Sequence, residues 1–301
     1  MSAAEVMAAA RPPLDLTAKR SWRSVKSAAM TGLMVCAVLV VALPLVAVVA
    51  AIFQRGWRVL GHGFPDFLVK EIPIVSRRPG PGMGPAILGT LLATGVAALI
   101  AIPLGVLGAV HLHEYGGKNR FARLVRFMSD VMTGVPSIVM GLFVYVTWTL
   151  RFGYSAFGGA LALACLMLPV VIGATEQMLR LVPPHLREAA YAVGATKSRT
   201  IVAVVLPAAL PGIISGSLLA VARATGETAP LLFAMGAATE YNPNPFVEAN
   251  TALSLQIFSN ATSSFAAAQE RAWGAALTLV LLTFFITLIA RIVTARFARR
   301  R

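Results

Sequence analysis

The chain has 301 residues, 57% of them hydrophobic and 13% charged, with a net charge of +14. A soluble domain carries about 25% charged residues, so the composition excludes a soluble globular protein and indicates a polytopic membrane protein, with mean hydropathy +0.77. The basic excess lies in flanks and short loops, as topology signals do, which argues against nucleic acid as a partner.

Residues 1–27 are polar and basic, with Arg11, Lys19, Arg20, Arg23 and Lys26, and read as a cytoplasmic tail. The first apolar run, 28–53, is too long for a signal-peptide core and long enough to span a bilayer. Cys36 there and Cys165 further on both sit in apolar runs, where a packing role outranks a disulfide or metal site. Residues 54–83 form a loop rich in Gly and Pro, with an interfacial turn around 64–75. The second span is 84–110. Its Gly89, Gly95, Gly105 and Gly108 allow close helix approach, and Pro103 predicts a kink. In the basic loop 111–126, His111 and His113 stand two apart, but without further ligands they predict no metal site. Spans at 127–150 and 157–175 follow. Asp130 and Glu176 fall near span ends, where they are expected to be interfacial or to pair with nearby Arg126 and Arg180, with no catalytic role. A polar segment, 183–207, precedes a fifth span at 208–235, a polar loop at 237–271 and a sixth span at 272–295, which ends in an arginine-rich terminus.

The predicted class is all-α: a polytopic membrane bundle of six transmembrane helices over 28–301. Six spans put both termini on one side. Lys and Arg are in excess there, in the tails, in 111–126 and in 183–207, so the positive-inside rule places both termini and 183–207 in the cytoplasm.

Segment 183–207 opens with Pro183-Pro184, which stop the preceding helix. Glu188 to Val193 favours helix, with Glu188 in or near the first turn, where the macrodipole suits a carboxylate. Gly194 permits the left-handed backbone that ends a helix. Thr200 to Leu206 then starts a second element running to Pro207. The pattern is Glu188-Ala189-Ala190, three residues, Gly194, nine residues, the aliphatic Val204, one residue, and Leu206-Pro207. It resembles the EAA loop of importer-type ABC permeases. The resemblance implies the importer-type permease fold and the docking of this loop into a cleft of a cytoplasmic ATPase. Glu188, Ala189, Ala190, Gly194, Leu206 and Pro207 are its coupling residues.

The fifth span contains Arg223-Ala224-Thr225-Gly226-Glu227-Thr228-Ala229-Pro230. Opposite charges four apart share a helix face. A lone charge at mid-bilayer costs at least ~2.5–3.5 kcal/mol, so such residues face a protein interior or a wet cavity. An arginine fork fits an oxyanion. On chemistry alone, a neutralising Arg223–Glu227 pair without a ligand stands beside an anion site. Arg223 to Leu231, together with Gly134 to Phe143, is similar to the signature of the phosphate-specific ABC permeases of the PstA type, and the likeness covers roughly residues 84 to 295. It implies that Arg223 and Glu227 are tied to phosphate passage. Ser137 and Thr225 are added to the path, Thr225 as a hydroxyl donor beside Arg223.

The chain shows no P-loop, since Gly117-Lys118 lacks the upstream glycine and Asn119 replaces the hydroxyl residue. Nor does it hold a zincin or hydrolase-elbow motif. It is therefore expected to be no enzyme and to bind no cofactor or metal, with ATP and Mg on a partner ATPase. The resemblance further implies a second homologous permease forming a heterodimer, two cytoplasmic ATPase subunits, an extracytoplasmic phosphate-binding protein, and a multi-pass place in a bacterial plasma membrane. A permease for sulfate, molybdate or an organic nutrient is the alternative. A secondary transporter is a third reading, although no convincing internal repeat of the kind such transporters show is present.

Overall fold

The computed structural model describes residues 22–75, 77, 80, 82–117 and 119–299, so most of the basic tail, Lys118 and the last two arginines lie outside the described residues. The chain divides into two units between Ala51 and Ile52. Helix α1 (Trp22–Gly63) starts six residues before the expected first span and ends ten after it. In the first unit its side chains are almost all exposed, among them Leu33, Val38, Val41 and Leu45. A helix apolar all round and unburied has lipid as its solvent.

The second unit continues through α2 (Asp66–Val69), which falls in the expected interfacial turn, and α3 (Gly84–Val110), prolonged by one π turn at His111–Tyr115. Then come α4 (Arg120–Gly134), α5 (Ser137–Val144), a second π turn (Tyr145–Thr149) and α6 (Leu150–Phe152). Helix α7 (Ala156–Leu181) is capped by Ser155, whose hydroxyl accepts the Gly158 N–H at 3.1 Å. Helices α8 (Pro184–Ala192) and α9 (Lys197–Thr200) lead through a third π turn (Ile201–Val205) into α10 (Leu206–Thr225). The chain ends with α11 (Ala229–Ala234), α12 (Leu253–Ala261) and α13 (Ala266–Arg299). Every regular element among the described residues is helical, and five helices are long and apolar enough to span, or six if the bent pair α4 and α5–α6 is one span.

The core is a seam of small residues. Ala93, Ala97 and Ala101 recur every fourth residue on α3 and meet Ala160, Leu163, Ala164, Met167 and Val171 of α7, with Ala220, Val221 and Ala224 of α10 closing the third side. In lipid, where no hydrophobic drive presses helices together, such alanines let backbones approach and gain dispersion contact. Toward the start of α3, Phe67, Met83, Ala86, Leu253 and Ala275 form a second cluster. Toward its end, Ala109, Leu112, Ala122 and Ile172 form another.

Three expectations change. The third span is not one helix from 127 to 150: α4 and α5 are bent by 108°. Val135 takes the extended conformation (φ −72°, ψ 128°) that the residue before a proline prefers, and Pro136 has no N–H to carry the ladder on. Ser137–Phe152 alone is shorter than the ~20 residues a straight span needs. The fifth span does not run 208–235. It begins at Lys197, passes through Pro207, and stops at Thr225, with α11 a separate short helix. The polar loop 237–271 contains α12, whose Leu253, Leu255 and Gln256 are buried. Its Leu253 N–H donates to Thr90 Oγ1 at 2.9 Å.

Candidate functional site

The break between α4 and α5, the middle of α7 and the end of α10 enclose a cavity of about 230 Å³. Thr133, Pro136 and Ser137 come from the break, Pro169 and Val170 from α7, and Arg223 and Glu227 from the end of α10. A proline or a glycine sits where each element meets the cavity. Pro136 ends α4, Pro169 lies inside α7, and Gly226 caps α10. The chain therefore opens space where it carries charge. Gly141 on α5 makes the adjoining wall possible: a Cβ there would lie 2.5 Å from Pro230 Cα, so any side chain would push α5 and α11 apart.

Arg223 Nε stands 3.7 Å from Glu227 Oε1, and the two side chains are 72% and 20% exposed. A charge-assisted hydrogen bond is about 2.7–2.9 Å, so this pair is loose. The helix ends between the partners, Gly226 N–H donating to Arg223 O and Glu227 N–H to Ala224 O. Glu227 O in turn accepts the Ser254 hydroxyl at 2.9 Å, which ties α12 to the site. Ser137 lines the cavity. Thr225 does not: it is buried, and its hydroxyl donates to Val221 O at 2.8 Å within its own helix.

The second part of the site is the projecting pair α8–α9. Pro184 is at the first helical positions, while Glu188 lies in the second turn rather than the first. Helix α8 ends in a Schellman turn. Gly194 has φ +79°, its N–H donates to Tyr191 O at 2.9 Å, and the Ala195 N–H donates to Ala190 O at 3.0 Å. Thr196 caps α9 by accepting the Arg199 N–H. Ala190 is buried, whereas Glu188, Ala189, Tyr191 and Val193 are exposed. Leu206 and Pro207 are half-buried where the π turn passes into α10, and Leu206 N–H closes that turn on Ile201 O. Proline interrupts the i→i−4 ladder there, and a π turn is a common way to absorb such a break.

What holds this pair in place was not singled out from the sequence. Arg187 donates to Glu114 Oε1 at 3.0 Å, to Val182 O at 2.9 Å and to Leu179 O at 3.1 Å. Lys197 donates to Glu114 O and lies 4.7 Å from the Tyr115 ring centroid. Both cations had been read only as topology charges, and the partner Glu114 is 73 positions from Arg187, beyond any local spacing rule. Glu176 pairs with Arg126 at 3.0 Å, as one of the expected combinations had it. His111 stacks on Tyr115, and the described residues hold no group of three metal-ligating side chains.

Long apolar helices around a cavity that carries charge define a multi-pass membrane protein. Residues 101–301 match the family model described as binding-protein-dependent transport system inner membrane component. Phosphate transport system permease protein PstA 1 of Mycobacterium tuberculosis is 43% identical over 282 residues, covering 93% of this chain and 92% of the relative. PstA proteins of Mycobacterium leprae and Yersinia pestis are 42% and 41% identical, over 88% and 72% of this chain and 88% and 74% of theirs. The chain belongs to the family of binding-protein-dependent inner-membrane permeases, and within it to the group of these PstA relatives. Among solved structures, a bacterial ABC transporter involved in alginate import matches with TM-score 0.59 and 16% identity, over 92% of this chain and 99% of that one. The inward-facing MetNI methionine ABC transporter matches with TM-score 0.57 and 17% identity, over 71% and 93%. At such identities the likeness carries the fold alone.

Proposed function

We propose that this chain is the permease subunit of an ATP-driven inorganic phosphate importer. The observation that carries the reading is the loosely held Arg223 guanidinium facing the cavity, in a chain whose relatives are phosphate transport permeases. An oxyanion entering the cavity competes with Glu227 for the arginine fork. Pro136 and Ser137, at the start of α5, put a helix N-terminus on the same wall, which also favours an anion. Two features keep the hold weak enough for release: the Glu227 carboxylate, and the C-terminal end of α10, whose dipole disfavours negative charge.

The lever α8–α9 would be the docking surface for a cytoplasmic ATPase, with Glu188 and Ala189 on its exposed side and Gly194 setting its bend. Because α9 continues through Pro207 into α10, a push on the lever would travel along one helix to Arg223. In this reading both termini are cytoplasmic, ATP and Mg bind two ATPase subunits, a second permease completes a heterodimer, and an extracytoplasmic protein delivers phosphate.

The test is phosphate uptake by the assembled complex in proteoliposomes, with Arg223→Ala beside the native chain. Uptake that requires ATP and Arg223 and is not displaced by excess sulfate is the expected result. Uptake by Arg223→Ala at the native rate overturns the site assignment, and equal displacement by sulfate favours a general oxyanion permease. A tag at Tyr191 reached only from outside the cell would overturn the orientation.

A further inference from the structure

A second cavity, about 870 Å³, lies in the second unit at the end of α1, lined by Arg55, Arg58 and His62 and by the first turns of α13. Arg55, Arg58 and His62 follow one another at spacings of three and four, so they form one face of α1. The Arg55 guanidinium lies 4.8 Å from the Trp273 ring centroid, which orients its fork without consuming its hydrogen-bond donors. Arg58 has no recorded side-chain hydrogen bond or ion pair among the described residues, while its carbonyl is 2.7 Å from His62 Nδ1. Ala266 and Ala267, in the wall, open a 34-residue helix and so place its positive dipole end there, while the N–H groups of Ala268 and Gln269 both donate to Phe265 O. Buried Arg271 also lines the cleft, and Glu270 is the one carboxylate among the described residues of the lining.

We propose that this cleft binds a phosphate group, carried by an anionic phospholipid headgroup or present as inorganic phosphate. Guanidinium forks from two arginines of one helix face, lining a cleft beside a helix N-terminus, suit a phosphate group. The volume falls within the roughly 300–1,000 Å³ of small-molecule sites, and exceeds what a bare oxyanion fills. The surroundings suit the membrane–water boundary: Trp57, Phe64 and Ile74 are exposed around the same end of α1, and aromatic side chains mark the headgroup level. The cleft is separate from the Arg223 cavity and does not depend on the solute assignment, because a headgroup would occupy it in a permease for any solute.

The full chain is placed in nanodiscs of phosphatidylcholine with and without phosphatidylglycerol, as native protein, Arg55→Gln/Arg58→Gln and Glu270→Gln. Lipid retention is read by native mass spectrometry. Binding of labelled inorganic phosphate is read in phosphatidylcholine alone, on an Arg223→Ala background so that only this cleft reports. The double substitution is expected to weaken phosphate-group binding at least about tenfold, whereas Glu270→Gln tightens it, a gain that misfolding does not produce. Selective loss of phosphatidylglycerol identifies a lipid site, and selective loss of inorganic phosphate identifies a solute site. If both ligands bind native and substituted chains alike, or Glu270→Gln weakens binding, the proposal is wrong.

Discussion

Two arginine–glutamate pairs in this chain do opposite things. Arg187 and Glu114 are 3.0 Å apart with side chains 20% and 9% exposed, and Arg187 also donates to two carbonyls. Arg223 and Glu227 are 3.7 Å apart, and Arg223 is 72% exposed with no other recorded partner among the described residues. The first pair joins segments distant in sequence and saturates its guanidinium. The second joins neighbours across a helix end and leaves most of its donors open. A buried charge must be fully paired or it destabilises the fold; the exposed Arg223 is under no such constraint.

That contrast breaks most visibly at Arg187. Arg187→Ala strands Glu114 and is expected to cost about 3–5 kcal/mol, read as a large drop in the melting temperature of the purified chain. Arg223→Ala is expected to leave that melting temperature unchanged while lowering phosphate uptake at least about thirtyfold, or roughly 2 kcal/mol. If the two substitutions shifted stability equally, the distinction between anchor and gate would be lost. Gly194→Val forces a β-branched residue to φ +79°, at about 1–2 kcal/mol. It should reduce transport-coupled ATP hydrolysis by the complex without altering phosphate binding by that complex. The smallest effect belongs to Thr225→Val, which removes a hydroxyl bonded only within its own helix. Uptake should stay at the native level, and a clear loss would return Thr225 to the path.

Much of this site was legible because its signals are local. Gly194 ends a helix by backbone conformation, which one residue type supplies. Arg223 and Glu227 stand out because charge is rare in an apolar run. The break at Pro136 is as local as these, yet the strongly apolar run after it, averaged with the mixed residues before it, reads as one span. Hydropathy averages over a window and does not register a 108° bend. Buried α12 was read as loop for a similar reason: Thr251, Ser254, Gln256 and Asn260 look polar in sequence. In the structure Gln256 Nε2 donates to Thr251 Oγ1, Asn260 Nδ2 donates to Gln256, and Ser254 donates to Glu227 O.

By itself the sequence determined the membrane class, the helical content, the helix ended by its glycine turn at Gly194, and the family, since each depends on composition or on short fixed spacings. The tertiary structure alone decided which charges are anchors and which are open. Glu114 lies 73 positions from Arg187, and only packing α3 against α7 brings the π turn under the lever. Exposure, which separates a saturated guanidinium from an available one, is a property of neighbours in space.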